Sequence, residues 1–188
     1  MDANQPPWPR EWLMTDERIG ERLWDALGAL PRGGGVVFRH YSLKIDERAV
    51  LARQVAERCR QRELVLAVAN DVRLAEELGA RLVHNPAGDA GALLFSRAAH
   101  SMHEAKVAWG AGASLLFLSP IFATRSHPGA QPISRDEARA IVATCPVPVI
   151  ALGGMTRARF EELRANGFYG WAGIDAWLGA GPSRERIP

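Results

Sequence analysis

The chain has 188 residues, of which 47% are hydrophobic and 23% charged, and its formal net charge is +2. This composition excludes general disorder, and no apolar run approaches the roughly 20 residues that a membrane-spanning helix needs. The basic residues are interleaved with acidic ones instead of clustered on one face, so we expect no nucleic-acid partner. The two cysteines, Cys59 and Cys145, fit no metal or disulfide pattern, and together these features favour a cytoplasmic protein without a membrane partner.

The pattern along the chain predicts one domain over residues 11–180, with a flexible tail at residues 1–10 and a second at 181–188. Eight short apolar runs alternate with mostly helical segments. Strands are predicted at residues 12–15, 36–38, 64–68, 81–84, 93–95, 114–118, 147–152 and 170–174. Helices are predicted at residues 21–30, 74–78, 101–109, 135–143 and 156–165. A further helix is predicted to begin near residue 46 and to include Cys59.

The apolar runs are continuous, which is typical of parallel strands that are buried on both faces. Eight such units predict an α/β fold of the closed (β/α)8 type, a compact TIM barrel with short helices. A doubly wound open sheet is the main alternative. Its glycine-rich turn should follow a strand and open a helix, whereas the glycines at residues 33–35 precede a strand, so we favour the barrel.

Functional side chains of such barrels lie where the strands end. Gly153 and Gly154 follow the seventh strand and Gly173 closes the eighth, which is the usual phosphate-binding region of these folds. The alternative is that the glycines only permit a tight turn. Asp175 lies next to this region, and its negative charge would repel a phosphate.

Other strand ends carry acidic and basic groups. Asp71 and Asp89 could share a Mg2+ ion with substrate phosphates, or could serve only as helix-cap and loop residues. His100 is the best acid or base candidate among the histidines. The long polar loop at residues 123–132 has the character of a lid, in which Arg125 and His127 could meet an anion, although an ordinary exposed loop fits equally well.

From residue 12 to residue 178 the sequence resembles the thiamine-phosphate synthases and their relatives, the thiazole tautomerases. Six stretches carry the resemblance, and the last two are the most specific in combination. They are Val-Val-Phe-Arg-His-Tyr at residues 36–41, Val-Ala-Asn-Asp at 68–71, Leu-Val-His at 82–84, Ala-Ala-His-Ser at 98–101, Ser-Pro-Ile-Phe-Ala-Thr at 119–124 and Pro-Val-Ile-Ala-Leu-Gly-Gly-Met-Thr at 148–156.

The resemblance implies a barrel that joins a hydroxymethylpyrimidine pyrophosphate to a thiazole phosphate and releases pyrophosphate, with Mg2+ as the cofactor. Loss of pyrophosphate would leave a pyrimidine cation, which the thiazole nitrogen attacks. Position by position, the resemblance implies metal binding by Asp71 and Asp89 and pyrophosphate contacts from Arg39 and His127. Substrate and phosphate contacts are implied for Asn70, Thr124, Ser126, Gly153, Gly154 and Gly173. The resemblance also allows a homo-oligomer.

Several positions depart from the synthase pattern, and each departure removes a donor or a cation. Tyr41 replaces the second-strand lysine, Ala98 and Asp175 replace serines, and His127 replaces the lysine of the loop. Pro120 stands where the tautomerases have a characteristic histidine. Three hypotheses follow: a divergent synthase, an isomerase that uses His100 as its proton carrier, and a binder of thiazole or thiamine phosphates without catalytic activity.

Overall fold

The computed structural model describes residues 8–125 and 129–179. Within them, parallel strands pair in sequence order and the last pairs with the first, which closes a barrel. The strands are β1 Glu11–Met14, β2 Gly35–Phe38, β3 Val65–Ala69, β4 Leu82–His84, β5 Leu94–Ala99, β6 Leu115–Leu118, β7 Val149–Ala151 and β8 Gly170–Gly173. This confirms the predicted (β/α)8 fold and excludes the open sheet.

Helices connect most of the strands and cover the outside of the barrel. They are α1 Leu23–Ala29, α2 Ile45–Gln61, α3 Val72–Glu77, α4 Met102–Gly110, α5 Arg135–Thr144 and α6 Arg157–Glu162, with short 3-10 helices over Glu17–Arg22, Arg164–Asn166 and Asp175–Trp177. β4 and β5 are joined by a loop without a helix among the described residues. Among the described residues, no helix is long and apolar enough to cross a membrane.

Side chains of the short strands build the core of the barrel. Trp12 and Phe117 are fully buried and meet edge to face, with their ring centroids 5.4 Å apart. His84 of β4 and Ser96 of β5 are opposite each other in the ladder, and His84 Nδ1 lies 2.9 Å from Ser96 Oγ. Because a buried polar group without a partner is costly, this hydrogen bond lets both residues lie in the core.

The packed part of the chain begins before β1. Trp8 is buried, and the guanidinium of Arg81 lies 5.0 Å from the centre of the Trp8 ring. The carbonyl of Trp8 accepts a hydrogen bond from the Tyr169 hydroxyl. The carbonyl of Arg10 accepts a 2.8 Å bond from the amide of Trp171. Residues 8–10, which the sequence assigned to a tail, therefore pack against the barrel, whereas residues 181–188 lie outside the described part of the chain.

Candidate active site

A cavity of about 400 Å3 opens at the carboxyl ends of the strands. Six of the residues predicted from the sequence line it, although they come from distant parts of the chain: Arg39, His100, Thr124, Gly153, Gly154 and Gly173. Arg125, Arg159 and Asp175 line it as well. The strand order brings these residues together because all parallel strands end on the same side of the barrel.

The turn after β7 places two glycines on the wall of this cavity. Gly153 and Gly154 have φ values of 92° and 60°, a conformation that favours glycine. A Cβ atom on Gly153 would lie 2.7 Å from Cα of Pro120, so the turn also needs the missing side chain. No backbone carbonyl within the described part of the chain accepts a hydrogen bond from the N–H of Gly153 or Gly154. Such open amides suit a phosphate oxygen.

Arg159 brings a positive charge to the same turn. Its Nη1 donates a hydrogen bond to the carbonyl of Gly154, and its guanidinium lies 4.7 Å from the centre of the Phe122 ring. The amide of Arg159 donates to Thr156 Oγ1 at 3.2 Å, since Thr156 caps α6. The guanidinium is therefore fixed beside the two glycines, where it can add charge to an anion site.

Arg125 and Asp175 form an ion pair on the cavity wall. The distance from Arg125 Nη2 to Asp175 Oδ2 is 2.7 Å, and both side chains are exposed. The carboxylate that replaces the serine expected from the family pattern is thus matched by a cation from the loop after β6. This pairing reduces the repulsion that Asp175 would exert on a bound phosphate.

Arg39 is held rigidly at the end of β2. Its amide donates to Thr15 Oγ1 at 2.9 Å, and its Nε donates to the Thr15 carbonyl at 3.0 Å. Asp16 lies 3.6 Å from Nη2. Burial lowers the pKa of Arg39, but an arginine remains a cation in the physiological range. A fixed, poorly hydrated cation at the cavity wall is suited to bind an anion.

The ring of His100 is oriented by Ser119, and its backbone is fixed by Glu104. Its Nδ1 lies 2.7 Å from the carbonyl oxygen of Ser119, and its amide donates to Glu104 Oε2 at 2.9 Å. A carbonyl oxygen can only accept, so Nδ1 carries the hydrogen and Nε2 of the neutral ring keeps its lone pair. His100 can therefore act as a proton acceptor through Nε2.

Asp71 has two protein partners. Its Oδ1 accepts from the amide of Leu74 at 3.0 Å, which makes it the N-cap of α3 as the alternative interpretation predicted. Its Oδ2 accepts from Nη1 of Arg48 at 2.7 Å. Asp89 is exposed and accepts from the amide of Gly91 at 3.0 Å. Asn70 and Asp71 follow β3, and Asp89 lies in the loop after the neighbouring strand β4. None of the three is among the described residues that line the cavity.

The donor chemistry around Asp71 fits the Mg2+ that the family resemblance implies. Asp71, Asp89 and Asn70 offer hard oxygen atoms, which are the ligands that Mg2+ prefers. No group of three or more acidic, histidine or cysteine side chains converges among the described residues. A Mg2+ ion would therefore take most of its ligands from substrate phosphates and water, as Mg2+ commonly does.

Sequence reasoning did not identify Arg48 and Arg159. Both are helix arginines, a common surface type, and two partners of Arg48, Asp71 and Ala69, lie more than 20 residues away in sequence. Arg159 lies five residues after Gly154, and this proximity to a glycine turn was the available signal. Ser126 and His127 lie outside the residues that the structure describes.

A closed parallel barrel with a cavity at the carboxyl ends of its strands defines the (β/α)8 class of proteins. Comparison with known families gives the particular assignment. The family model described as thiamine monophosphate synthase matches residues 12–177, and the chain belongs to this family.

Individual relatives agree with this assignment. The chain is 32% identical over 182 residues to "Putative thiamine-phosphate synthase 2" of Aquifex aeolicus, covering 90% of this chain and 98% of the relative. It is 37% identical over 183 residues to the thiamine-phosphate synthase of Salinispora arenicola, covering 87% of this chain and 86% of the relative. The structure of thiamine phosphate pyrophosphorylase from Pyrococcus furiosus is similar in fold, with a TM-score of 0.78, 24% identity, and coverage of 93% of this chain and 89% of that one. The resemblance seen in the sequence is therefore confirmed, and thiamine-phosphate synthase is the activity shown at the level of the family.

Proposed function

We propose that this chain joins a hydroxymethylpyrimidine diphosphate to a thiazole phosphate, giving thiamine phosphate and free diphosphate. The observation that carries the proposal is the cavity at the strand ends, where the amides of Gly153 and Gly154 lie beside the Arg159 guanidinium. Two phosphorylated substrates require two anion-binding regions, and Arg39 supplies a second cation on the same cavity wall.

The bond that breaks joins the pyrimidine methylene carbon to a diphosphate oxygen, which keeps the electron pair. The thiazole nitrogen then donates its lone pair to the same carbon, so atoms and charge balance. Negative charge builds on the departing oxygen, and fixed cations stabilise it because they need no reorganisation during the reaction. We assign this role to Arg39, with His127 of the loop as a further prediction from the family pattern.

The thiazole phosphate would bind at the turn after β7. Gly153 and Gly154 would donate backbone hydrogen bonds, Arg159 would supply charge, and Gly173 leaves room at the end of β8. Thr124 lines the same cavity and would add a hydroxyl. Ser126, which the family pattern places in the same group, stays a prediction.

Asp71 and Asp89 would hold the Mg2+, with Asn70 as a neighbouring oxygen donor. When bound, the ion supplies positive charge that stabilises the leaving diphosphate. Two hydrogen bonds fix the Asp71 carboxylate at the end of β3, where it would bind the ion. Asp89 lies in the loop after β4, next to β3 in the barrel.

The orientation of His100 supports a second candidate, an isomerase of the same fold. Nε2 of His100 could remove a proton from one position of a thiazole phosphate and return it to another, because Nδ1 is fixed by the Ser119 carbonyl. Exchange of thiazole protons with deuterated water, followed by NMR, tests this role. Exchange that is lost in His100→Ala would support the isomerase, and its absence in the wild-type protein would exclude it.

The direct test of the synthase is to incubate the purified chain with both substrates and Mg2+ and to follow thiamine phosphate. We expect product that requires both substrates, disappears with a chelator and falls at least about 100-fold in Arg39→Met, the range seen when a transition-state donor is removed. Absence of product, with thiazole phosphate still bound in calorimetry, would instead identify the non-catalytic binder. We also propose that the protein acts in the cytoplasm on these small phosphorylated substrates.

A further inference from the structure

All three guanidinium nitrogens of Arg48 donate hydrogen bonds beside Asp71. Its Nε donates to the His40 carbonyl at 2.8 Å and its Nη2 to the Ala69 carbonyl at 2.9 Å. Its Nη1 donates to Asp71 Oδ2 at 2.7 Å, and only 13% of its side chain is exposed. The guanidinium also lies 5.5 Å from the centre of the Phe38 ring. Arg48 thus connects the ends of β2 and β3 and fixes the Asp71 carboxylate.

These contacts change what Asp71 can bind. Each carboxylate oxygen already accepts one hydrogen bond, so the side chain is fixed but still has lone pairs for a further ligand. The negative charge of Asp71 is offset by the adjacent guanidinium, which would repel a divalent cation that approached the same carboxylate. Asp89 is exposed, and an isolated exposed carboxylate binds a divalent ion weakly.

We infer that Arg48 is a positioning residue that prevents Asp71 from binding a free divalent cation, so that the metal enters the site only together with a diphosphate. The negative charges of the diphosphate would offset the repulsion by Arg48 and supply the missing oxygen ligands. This inference rests on the proposed function because it takes Asp71 as the metal ligand. It goes beyond that function because it fixes the order in which metal and substrate arrive.

Metal binding to the substrate-free protein tests the inference without an activity assay. Mn2+ can replace Mg2+ as the probe, since the free ion is quantified by electron paramagnetic resonance. We expect the wild-type protein to bind no Mn2+ below millimolar concentration. With inorganic diphosphate added, the protein should remove more free Mn2+ than diphosphate alone removes. Asp71→Asn should abolish the diphosphate-dependent binding, while asparagine preserves the helix cap.

Removal of the guanidinium should reveal the metal site. Arg48→Met keeps the aliphatic stem, and we expect it to bind Mn2+ without diphosphate at least about tenfold more tightly than the wild type. The double variant Arg48→Met with Asp71→Asn should lose this gain. Arg53→Met is the matched control, because Arg53 lies on the same helix and pairs with Glu77 at 2.6 Å on the exposed surface. This control should leave Mn2+ binding unchanged.

Two results would overturn the inference. One is Asp71-dependent Mn2+ binding by the free wild-type protein at micromolar concentration, and the other is a folded Arg48→Met variant without increased affinity. If circular dichroism shows that Arg48→Met is unfolded, the wild-type measurements with and without diphosphate decide the question alone. Failure of the proposed function would appear separately, as an absence of thiamine phosphate in the activity assay whatever the order of metal binding.

Discussion

Arg125 Nη2 lies 2.7 Å from Asp175 Oδ2, and this ion pair joins the loop after β6 to the 3-10 helix after β8. The pair lines the same cavity as Gly153 and Gly154. A phosphate that binds there must therefore compete with Asp175 for the Arg125 guanidinium. We therefore expect the pair to weaken the binding of a phosphate in this cavity.

Asp175→Asn should strengthen phosphate binding. The change removes one negative charge from the cavity and releases Arg125, while the size of the side chain is preserved. We expect the Kd for thiazole phosphate to fall roughly five- to tenfold, measured by calorimetry at low ionic strength. Glu161→Gln is the control, because Glu161 forms a similar exposed pair with Arg164 at 3.1 Å on α6 and its 3-10 extension. Equal effects of the two substitutions would contradict a local role for Asp175.

Gly153→Ala should damage both stability and binding. Its φ of 92° is unfavourable for alanine, and the added Cβ would lie 2.7 Å from Cα of Pro120. We expect the free energy of unfolding to fall by about 2–3 kcal/mol and thiazole phosphate binding to be lost. Gly79→Ala is matched in backbone strain, with φ of 64°, but its Cβ would meet no atom within 4 Å. It should cost only about 1 kcal/mol and keep binding, so a loss of binding in Gly79→Ala would undermine the comparison.

Arg159→Met should weaken phosphate binding and spare the fold. The thioether side chain can still pack on Phe122, whereas the charge beside Gly154 is lost. We expect a Kd for thiazole phosphate about tenfold higher, corresponding to a charge-assisted hydrogen bond. Arg157→Met serves as the control, since Arg157 pairs with Glu11 at 2.8 Å and does not line the cavity among the described residues. An unchanged Kd in Arg159→Met would remove Arg159 from the proposed site.

Stability should fall in mild acid because of His84. Burial lowers the pKa of His84 to about 3, with smaller contributions from Arg39 and Arg97. Between that value and the unfolded pKa of about 6.5, the unfolded chain binds a proton that the folded chain does not. The free energy of unfolding should therefore fall as the pH decreases, by about 2 kcal/mol from this residue between pH 7.5 and pH 5.

Urea denaturation at the two pH values measures this loss. His84→Asn removes the titrating group, so its free energy of unfolding should depend less steeply on pH than that of the wild type. The variant is expected to be less stable at pH 7.5, because the hydrogen bond to Ser96 and the contact with Phe117 are altered. Identical pH dependence in the two proteins would show that His84 does not control acid stability.

The sequence predicted the barrel because continuous apolar runs and helical periodicity repeat along the whole chain. It predicted β5 less well, as residues 93–95, whereas the strand runs from Leu94 to Ala99. The polar residues Ser96 and Arg97 interrupt the apolar run, so the second half of the strand was not predicted. Ser96 lies in the core because His84 supplies its hydrogen bond, and the guanidinium of Arg97 lies 5.6 Å from the centre of the Phe95 ring.

The site was partly predictable for a similar reason. Strand ends identify Arg39, His100 and the glycine turn, because the topology alone brings them to one side of the barrel. Side-chain pairs across the fold were not predictable. Arg48 of α2 meets Asp71 after β3, and Arg125 after β6 meets Asp175 after β8, only because the fold brings distant segments together. Such pairs depend on packing geometry that no local pattern in the sequence records.

The most direct test of the central claim is to count both products by 31P NMR in one reaction with the wild-type chain, Mg2+ and the two substrates. Our account predicts one diphosphate for each thiamine phosphate, and no diphosphate release when the thiazole phosphate is omitted on the same time scale. Diphosphate release without thiamine phosphate, or neither product, would contradict the assignment of this cavity to the joining reaction.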